Sequence, residues 1–306
     1  MSESRRRATQ VLLVLALPLL GLLELAAHLW LRDRAPDFAA YEALGPGVAP
    51  LRQDGDLVVV EPRWAEPLVF GAVPVSIRQA APPDLEGYEH AVEVSLFGAR
   101  SPRTEAWRLL ESREIGAFTV RRLENPHPRP SVFDFVDALS PRHAEVSFDD
   151  RRCLWTASAP VVAGGLGGHP AFPSARFSCG EQPWFNVSET VIADERFRPR
   201  RCLWAHPPSR GALTIRYHDV TLGERLVGHG GMYWIIERER KGTPVHLTVT
   251  VDGESVGEHV HRDGDGWARF EMALGRFAGE RVAEVTFAVR SDDYRDRHFC
   301  FEARSQ

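Results

Sequence analysis

The sequence predicts an α+β protein in which one N-terminal membrane helix precedes a small α/β segment and a larger antiparallel β-sandwich. Three observations carry this reading. Residues 11–23 run without a charged side chain. Residues 51–130 mix short apolar runs with a helix-start signal. Beyond residue 130 the chain turns to short stretches of alternating apolar and polar residues separated by turn residues, the period-two mark of half-buried strands.

Residues 1–10 carry Arg5, Arg6 and Arg7, and the apolar run after them reaches Leu31 with only Glu24 and His28 interrupting it. As a helix, residues 11–31 rise about 30 Å, the thickness of a bilayer's hydrocarbon layer. The leading arginines favour a cytoplasmic N-terminus, so the bulk of the chain is expected outside an inner membrane, periplasmic or extracellular, although Arg32 and Arg34 weaken the asymmetry. A cleaved signal peptide cut near Ala27 is the alternative, and both readings export the chain. A carboxyl within the span is costly unless protonated or paired, which makes Glu24 a candidate contact to a membrane-protein partner.

Residues 32–50 read as a linker, because Pro36, Gly45, Pro46, Gly47 and Pro50 oppose long regular elements. In the α/β segment, Leu57-Val58-Val59-Val60 is the apolar run of a strand buried on both faces. Residues 91–97 alternate as a second strand, and Phe118, Val120 and Leu123 mark a third. Between these, Ser101 and Pro102 read as cap and first residue of a helix bearing Trp107, Leu109 and Leu110. The region 131–306 opens with a brief helical piece at 132–139. Strands are then expected over 214–217, 233–236, 245–251, 258–261, 268–272, 282–289 and 298–303. The alternation of Val245, Leu247, Val249 and Val251 is the cleanest, and Asp252-Gly253 follows it as a two-residue hairpin turn.

Among 306 residues the formal net charge is -5, and the basic residues are scattered among acids, which argues against a nucleic-acid partner. The four cysteines are even in number and none forms a C-x-x-C pair, so two disulfides formed in an oxidising compartment are expected. Of three connectivities, the preferred one joins Cys153 to Cys179, closing a Gly/Pro-rich loop, and Cys202 to Cys300, tying the first strand of the sandwich to its last.

The stretches Leu247-Thr248-Val249-Thr250-Val251-Asp252-Gly253, Gly266-Trp267-Ala268-Arg269-Phe270, Val285-Thr286-Phe287-Ala288-Val289 and Phe299-Cys300-Phe301 resemble the jelly-roll sandwiches of the galactose-binding-like superfamily. That resemblance covers about residues 200–306 and implies a sugar-binding sandwich. Residues 51–130 are weakly similar to extracytoplasmic segments of bacterial membrane-embedded glycosyltransferases. Those enzymes have many spans where this chain has one, so donor-lipid catalysis does not carry over, and what the similarity implies is an association with envelope glycan assembly.

Enzyme signatures are missing: there is no G-x-S-x-G, H-E-x-x-H or G-x-x-x-x-G-K-[ST]. Gly228-His229-Gly230-Gly231 reads as a tight turn, and the glycine-rich run 164–170 as a loop with no phosphate-binding lysine. Glu258, His259, His261, Asp263 and Asp265 lie close in sequence, with His259 and His261 on one strand face. Calcium on Asp263 and Asp265 is the one metal candidate, and no other cofactor is expected. Sugar recognition needs an aromatic platform for the C–H faces of the ring and polar side chains for its hydroxyls. Tyr233, Trp234, Trp267 and Arg297 are the candidates, with His229 and Asp265 as polar neighbours. The functional expectation is a membrane-anchored binding module for a carbohydrate-containing envelope ligand, against the alternatives of an assembly scaffold for a multi-span enzyme and a glycan-active enzyme.

Overall fold

The computed structural model describes residues 3–149, 151–164, 170–277 and 282–306. The protein is α+β, with one long apolar helix at its N-terminus and mainly antiparallel sheets after it. Helix α1 spans Glu3–Arg34, and within it Val14–Arg32 is long and apolar enough to cross a membrane. Its side chains in that stretch are exposed, Glu24 among them. The chain divides into two compact units, the first comprising Met1–Pro74 and His90–Glu124, the second Val75–Glu89 and Asn125–Gln306.

In the first unit, helix α2 (Phe38–Val48) occupies what reads in sequence as a linker. Asp37 caps it by accepting a hydrogen bond from the Ala40 amide at 2.8 Å, and Leu44 and Val48 are buried. The glycines that argued against a helix permit close packing. A side chain at Gly45 would stand 2.6 Å from the Ala72 carbonyl oxygen, and one at Gly47 would stand 2.5 Å from Ile115.

Strands β1 (Leu57–Glu61), β2 (His90–Leu96), β3 (Arg108–Ile115) and β4 (Phe118–Glu124) form a sheet in the order β1-β2-β4-β3. The first pair is parallel and the others antiparallel. Helix α3 (Glu66–Ala72) lies in the crossover from β1 to β2. The helix expected from Ser101 is absent, and the reason is Glu93. This fully buried carboxylate of β2 accepts from the Ser101 amide at 3.1 Å and the Thr104 hydroxyl at 2.7 Å, and it pairs with Arg121 at 3.2 Å. An uncompensated buried charge is far costlier than a few residues of helix, so the segment folds around the carboxylate instead.

The second unit begins with α4 (Ile77–Ala80) and continues through β5 (Phe133–Asp134), β6 (Ala144–Phe148), β7 (Arg151–Arg152), β8 (Leu154–Thr156), β9 (Arg176–Ser178), β10 (Asn186–Ala193) and β11 (Pro199–Ala205). It is completed by β12 (Leu213–Thr221), β13 (Arg225–Met232), α5 (Trp234–Glu239), β14 (Val245–Val251), β15 (Glu254–His261), β16 (Ala268–Ala273), β17 (Val282–Ser291) and β18 (Phe299–Ser305). Among the described residues one sheet runs β16-β13-β18-β11-β10-β9-β8 with β5 on β18, and the other β15-β14-β17-β12-β6-β7. Their inner faces share a core in which Val245, Leu247, Val249 and Val251 meet Leu226, Phe299 and Phe301. The β14–β15 turn is Asp252-Gly253, both with positive φ, as a two-residue hairpin of this hand requires.

Three expectations change here. The 132–139 piece is not a helix, because β5 leads into a turn held by the Asp134 carboxylate, which accepts from the Val136 and Asp137 amides. Residues 234–239 are helical rather than strand, since buried Glu237 reaches back to the Met232 amide at 2.7 Å and closes the turn. Residues 228–231 are not a turn but lie inside β13. A side chain at Gly228 would meet Phe270 and the Glu302 carbonyl at 2.4 Å, and one at Gly231 would meet Trp267 at 2.8 Å. The glycines therefore let neighbouring rings and backbone approach the strand. The glycine-rich run at 164–170 lies largely outside the described residues.

Candidate functional site

Two disulfides, Cys153–Cys179 and Cys202–Cys300, brace the region in which the site lies. The second joins β11 to β18 on the face of the sheet away from the main core, where Cys202, Cys300, Trp204, Tyr233, Ile192 and Phe172 form a separate apolar cluster. Beside this cluster, three loops enclose a cleft of about 310 Å³ lined by Trp184, His206, Tyr294, Arg295, Asp296 and His298. That volume is at the lower end of the range typical of small-molecule pockets, ~300–1,000 Å³.

Each loop is held by its own hydrogen bonds. The β9–β10 loop closes through the Cys179 amide on the Phe185 carbonyl and the Phe185 amide on the Gln182 carbonyl. Its Trp184 carbonyl accepts from the buried Trp204 indole at 2.7 Å. His206 follows β11 directly. In the β17–β18 loop the Arg297 amide donates to Tyr294, and Thr243 bonds the Asp293 backbone on both sides. Asp296 adopts a positive φ of 55°.

The rings converge. Trp184 lies 4.4 Å from His206 and 6.4 Å from Tyr294, the last pair inclined by only 26°. His298 stands 5.9 Å from His206 and 5.5 Å from Trp204. Burial lowers the His206 pKa to about 3, with His298 and Arg297 adding to the effect and the bond to Pro207 opposing it. The imidazole is therefore neutral at physiological pH. Its Nδ1 lies 2.8 Å from the Pro207 carbonyl, which can only accept, so Nδ1 carries the proton and Nε2 is left as an acceptor. At the rim, Arg295 clasps Asp293 at 2.6 Å, and these bonds hold the Asp293 pKa down to about 2. The cleft thus joins two broad aromatic faces to a neutral acceptor, a carboxylate and a guanidinium, which suits a ligand with apolar faces and several hydroxyl groups.

The residues singled out from sequence fall elsewhere and do not form one open platform. Tyr233 is buried in the cluster around the disulfide. Trp234 packs at its edge against Phe197 and Arg238. Arg297 is a brace and not a surface donor: its side chain and that of Asp263 are each 3% exposed and pair at 2.5 Å. His229 is buried, bonds Glu302 at 2.6 Å and lies parallel to Trp267. Arg200 sits over the Trp267 ring from 5.7 Å, and the Trp267 indole nitrogen is buried without a partner. Asp265 is exposed and closes a turn onto the Arg262 amide.

Nor do the acidic and histidine residues at 258–265 converge. Glu258 pairs with His246 and Arg290, His261 with Glu237, and Asp263 with Arg297 and the Lys241 and Gly242 amides. Asp263 and Asp265 are thus engaged in separate contacts. No group of three potential ligands is placed to hold a metal ion among the described residues.

Trp184, His206 and Tyr294 escaped the sequence reading because each sits on a different loop and no periodicity links them. A local signal does exist: Pro183-Trp184, His206-Pro207-Pro208 and Asp293-Tyr294 each place a ring inside a turn-forming stretch, where no strand pattern requires one.

No family model matches the chain, and no curated protein matches it. Solved structures that are similar include the CBM51-2 and INT domains of Clostridium perfringens ZmpB with GlcNAc (11% identity, TM-score 0.31, covering 66% of this chain and 41% of that one). A second structure of the CBM51-2 and INT domains of ZmpB matches at 10% identity and TM-score 0.31, covering 83% and 47%. The M60 catalytic domain of ZmpB with CBM51-1 and CBM51-2 matches at 12% and 0.26, covering 66% and 20%. The chain thus spans less than half the length of each. Likenesses of this size assign no ligand, and the site rests on its own geometry.

Proposed function

We propose that the protein is a non-catalytic carbohydrate-recognition module, anchored in an inner membrane by α1 with the remainder outside the cytoplasm, and that it binds a glycan-containing envelope ligand in the Trp184–Tyr294 cleft. The observation that carries the reading is the convergence of neutral His206 with the Trp184 and Tyr294 rings, beside Arg295 and Asp296. Sugar C–H faces stack on Trp184 and Tyr294, one hydroxyl donates to His206 Nε2 or the Asp296 carboxylate, and Arg295 donates to ring or hydroxyl oxygens. The loops are braced before ligand arrives, which limits the entropy lost on binding. Export is supported by the two disulfides, which form in oxidising compartments. An association with envelope glycan assembly, first raised by the similarity of residues 51–130, belongs to the same proposal.

The test is an array of envelope glycans probed with wild type, Trp184→Ala, Tyr294→Ala and Trp267→Ala. Binding lost in the first two variants and kept in the third supports the cleft. Binding kept in both cleft variants and lost in Trp267→Ala returns the site to the platform expected from sequence.

One observation favours a scaffold reading. Glu24 stands exposed on a span otherwise rich in leucine, a position that rewards pairing with a polar group of another membrane helix. Crosslinking from the span that is abolished by Glu24→Leu supports this contact, and crosslinking unchanged by that substitution removes it.

A further inference from the structure

In the first unit, topology gathers large apolar side chains at one end of the sheet. Strands β1 and β2 are parallel, with Glu61 opposite Ser95, so both finish at the same end. Trp64 follows the end of β1, and Phe97 follows the end of β2. Leu96 pairs with Phe118, which places the β3–β4 turn at this end as well. The N-terminal part of α2 lies there too: Ala40 is the neighbour a side chain on Gly116 would meet, and the Tyr41 ring is 5.1 Å from that of Phe118.

Only three residues separate the end of α1 from Phe38. At ~3.8 Å per Cα step, Phe38 lies within about 15 Å of the last residue of the membrane helix. Connectivity therefore ties this sheet end to the point where the chain leaves the bilayer.

The side chains there are unusually bare. Phe38 is 78% exposed, Trp64 61%, Leu68 55% and Phe97 49%. Trp64 sits in the 3-10 turn Arg63–Ala65 that leads directly into α3, where Leu68 lies, and the Trp64 and Phe97 rings are 6.5 Å apart. Arg63, Arg100 and Arg103 follow the same strand ends, with Arg63 paired to Glu66 at 3.2 Å and Arg100 to Glu93 at 3.4 Å. An indole and large apolar side chains beside arginines suit a membrane–water interface, where the indole N–H meets the headgroups and the apolar side chains meet the acyl boundary.

We propose that Phe38, Trp64, Leu68 and Phe97 form a membrane-contacting rim that seats the first unit in the headgroup layer of the bilayer crossed by α1. The rim restricts how far this unit can tilt or lift from the surface. It rests on the anchor reading of α1, and the test separates the two.

The full chain is reconstituted into phosphatidylcholine–phosphatidylglycerol vesicles containing lipid brominated near the headgroup end of the acyl chains. Tryptophan quenching is compared among wild type, Trp30→Phe and Trp64→Phe, and each difference isolates one indole. Trp30 reports the span and Trp64 the rim. Quenching of both components is the expected result. A quenched Trp30 component with an unquenched Trp64 component overturns the rim and leaves the anchor standing. Failure of both to quench overturns the anchor and the rim with it. A Trp64 component that is unquenched by lipid but shifts with protein density in the vesicle identifies a second copy as the covering surface, and also overturns the proposal. Since Trp64 is exposed, Trp64→Phe folds, and unchanged far-UV circular dichroism verifies this.

Discussion

Replacing Arg297 by methionine should destabilise the sandwich far more than a surface substitution would. In the wild type the guanidinium meets Asp263 at 2.5 and 3.3 Å, donates to the Thr243 carbonyl at 3.1 Å, and is as buried as its partner. It lies so close over Gly242 that a side chain there would come within 1.8 Å of it. Breaking one side of a buried ion pair costs about 3–5 kcal/mol. Asp263 keeps two backbone donors, Lys241 at 3.1 Å and Gly242 at 2.9 Å, so the loss should fall near the lower figure. For a unit of this size about 3 kcal/mol lowers Tm by roughly 6–12 °C. Urea unfolding of the oxidised protein in detergent, followed by tryptophan fluorescence, gives the free energy. Adding Asp263→Asn to Arg297→Met removes the stranded charge while retaining an acceptor for both amides. The double variant should therefore be more stable than Arg297→Met alone. Stability of Arg297→Met within about 0.5 kcal/mol of wild type, or a double variant as costly as the summed singles, would refute the brace.

Further outcomes follow from the same geometry. Alanine at Trp184 or Tyr294 should weaken glycan binding about 10-fold in isothermal titration, the upper range for one aromatic contact, in a protein that still unfolds cooperatively in urea, with Trp184→Ala the less stable because its ring packs against the cluster around Cys202–Cys300. Because the folded pKa of His206, about 3, lies below its unfolded value near 6.5, the unfolded chain takes up the proton first. Stability from this residue is thus complete above about pH 6.5 and declines as pH falls toward 3, with a slope approaching 1.4 kcal/mol per pH unit. His206→Gln should flatten the measured stability–pH curve by about one proton across that window. His259, lowered to about 4 mainly by burial, acts in the same direction over a narrower window, and His259→Gln should flatten the curve there as well. Replacing both cysteines of Cys202–Cys300, which are 98 residues apart, should cost about 4.7 kcal/mol by loop-closure entropy, against about 3.5 for Cys153–Cys179 at 26. Equal losses in non-reducing urea unfolding would show that chain entropy does not govern these bridges.

The parts of this fold that could be read in the sequence are those in which one local rule is uncontested. Residues 245–253 combine strict alternation with a turn dipeptide, and both survive in β14 and its hairpin. The readings that failed each met a tertiary partner that local rules do not contain. Buried Glu93 draws residues 101–104 out of a helix, and Glu237 draws 234–239 into one. Packing of Gly45 against Ala72 of α3 and of Gly47 against Ile115 of β3 turns the glycines of residues 38–48 from breakers into contact points. For the site, the sequence exposed the residue types but not their assembly. Trp267 and Arg297 are chemically rich side chains in the expected sandwich, yet one is covered by Arg200 beside His229 and the other is neutralised by Asp263. The rings that do line a cleft come from loops far apart in the chain, joined only once β11 and β18 are neighbours.

The most direct measurement is an NMR titration of the oxidised protein with the envelope glycan that scores highest on the array, following the tryptophan indole signals. The account predicts that the Trp184 signal shifts saturably, that the Trp267 signal does not, and that the double variant Trp184→Ala/Tyr294→Ala remains folded and no longer binds. Saturable binding by that folded double variant, with the Trp267 signal moving instead, would contradict it.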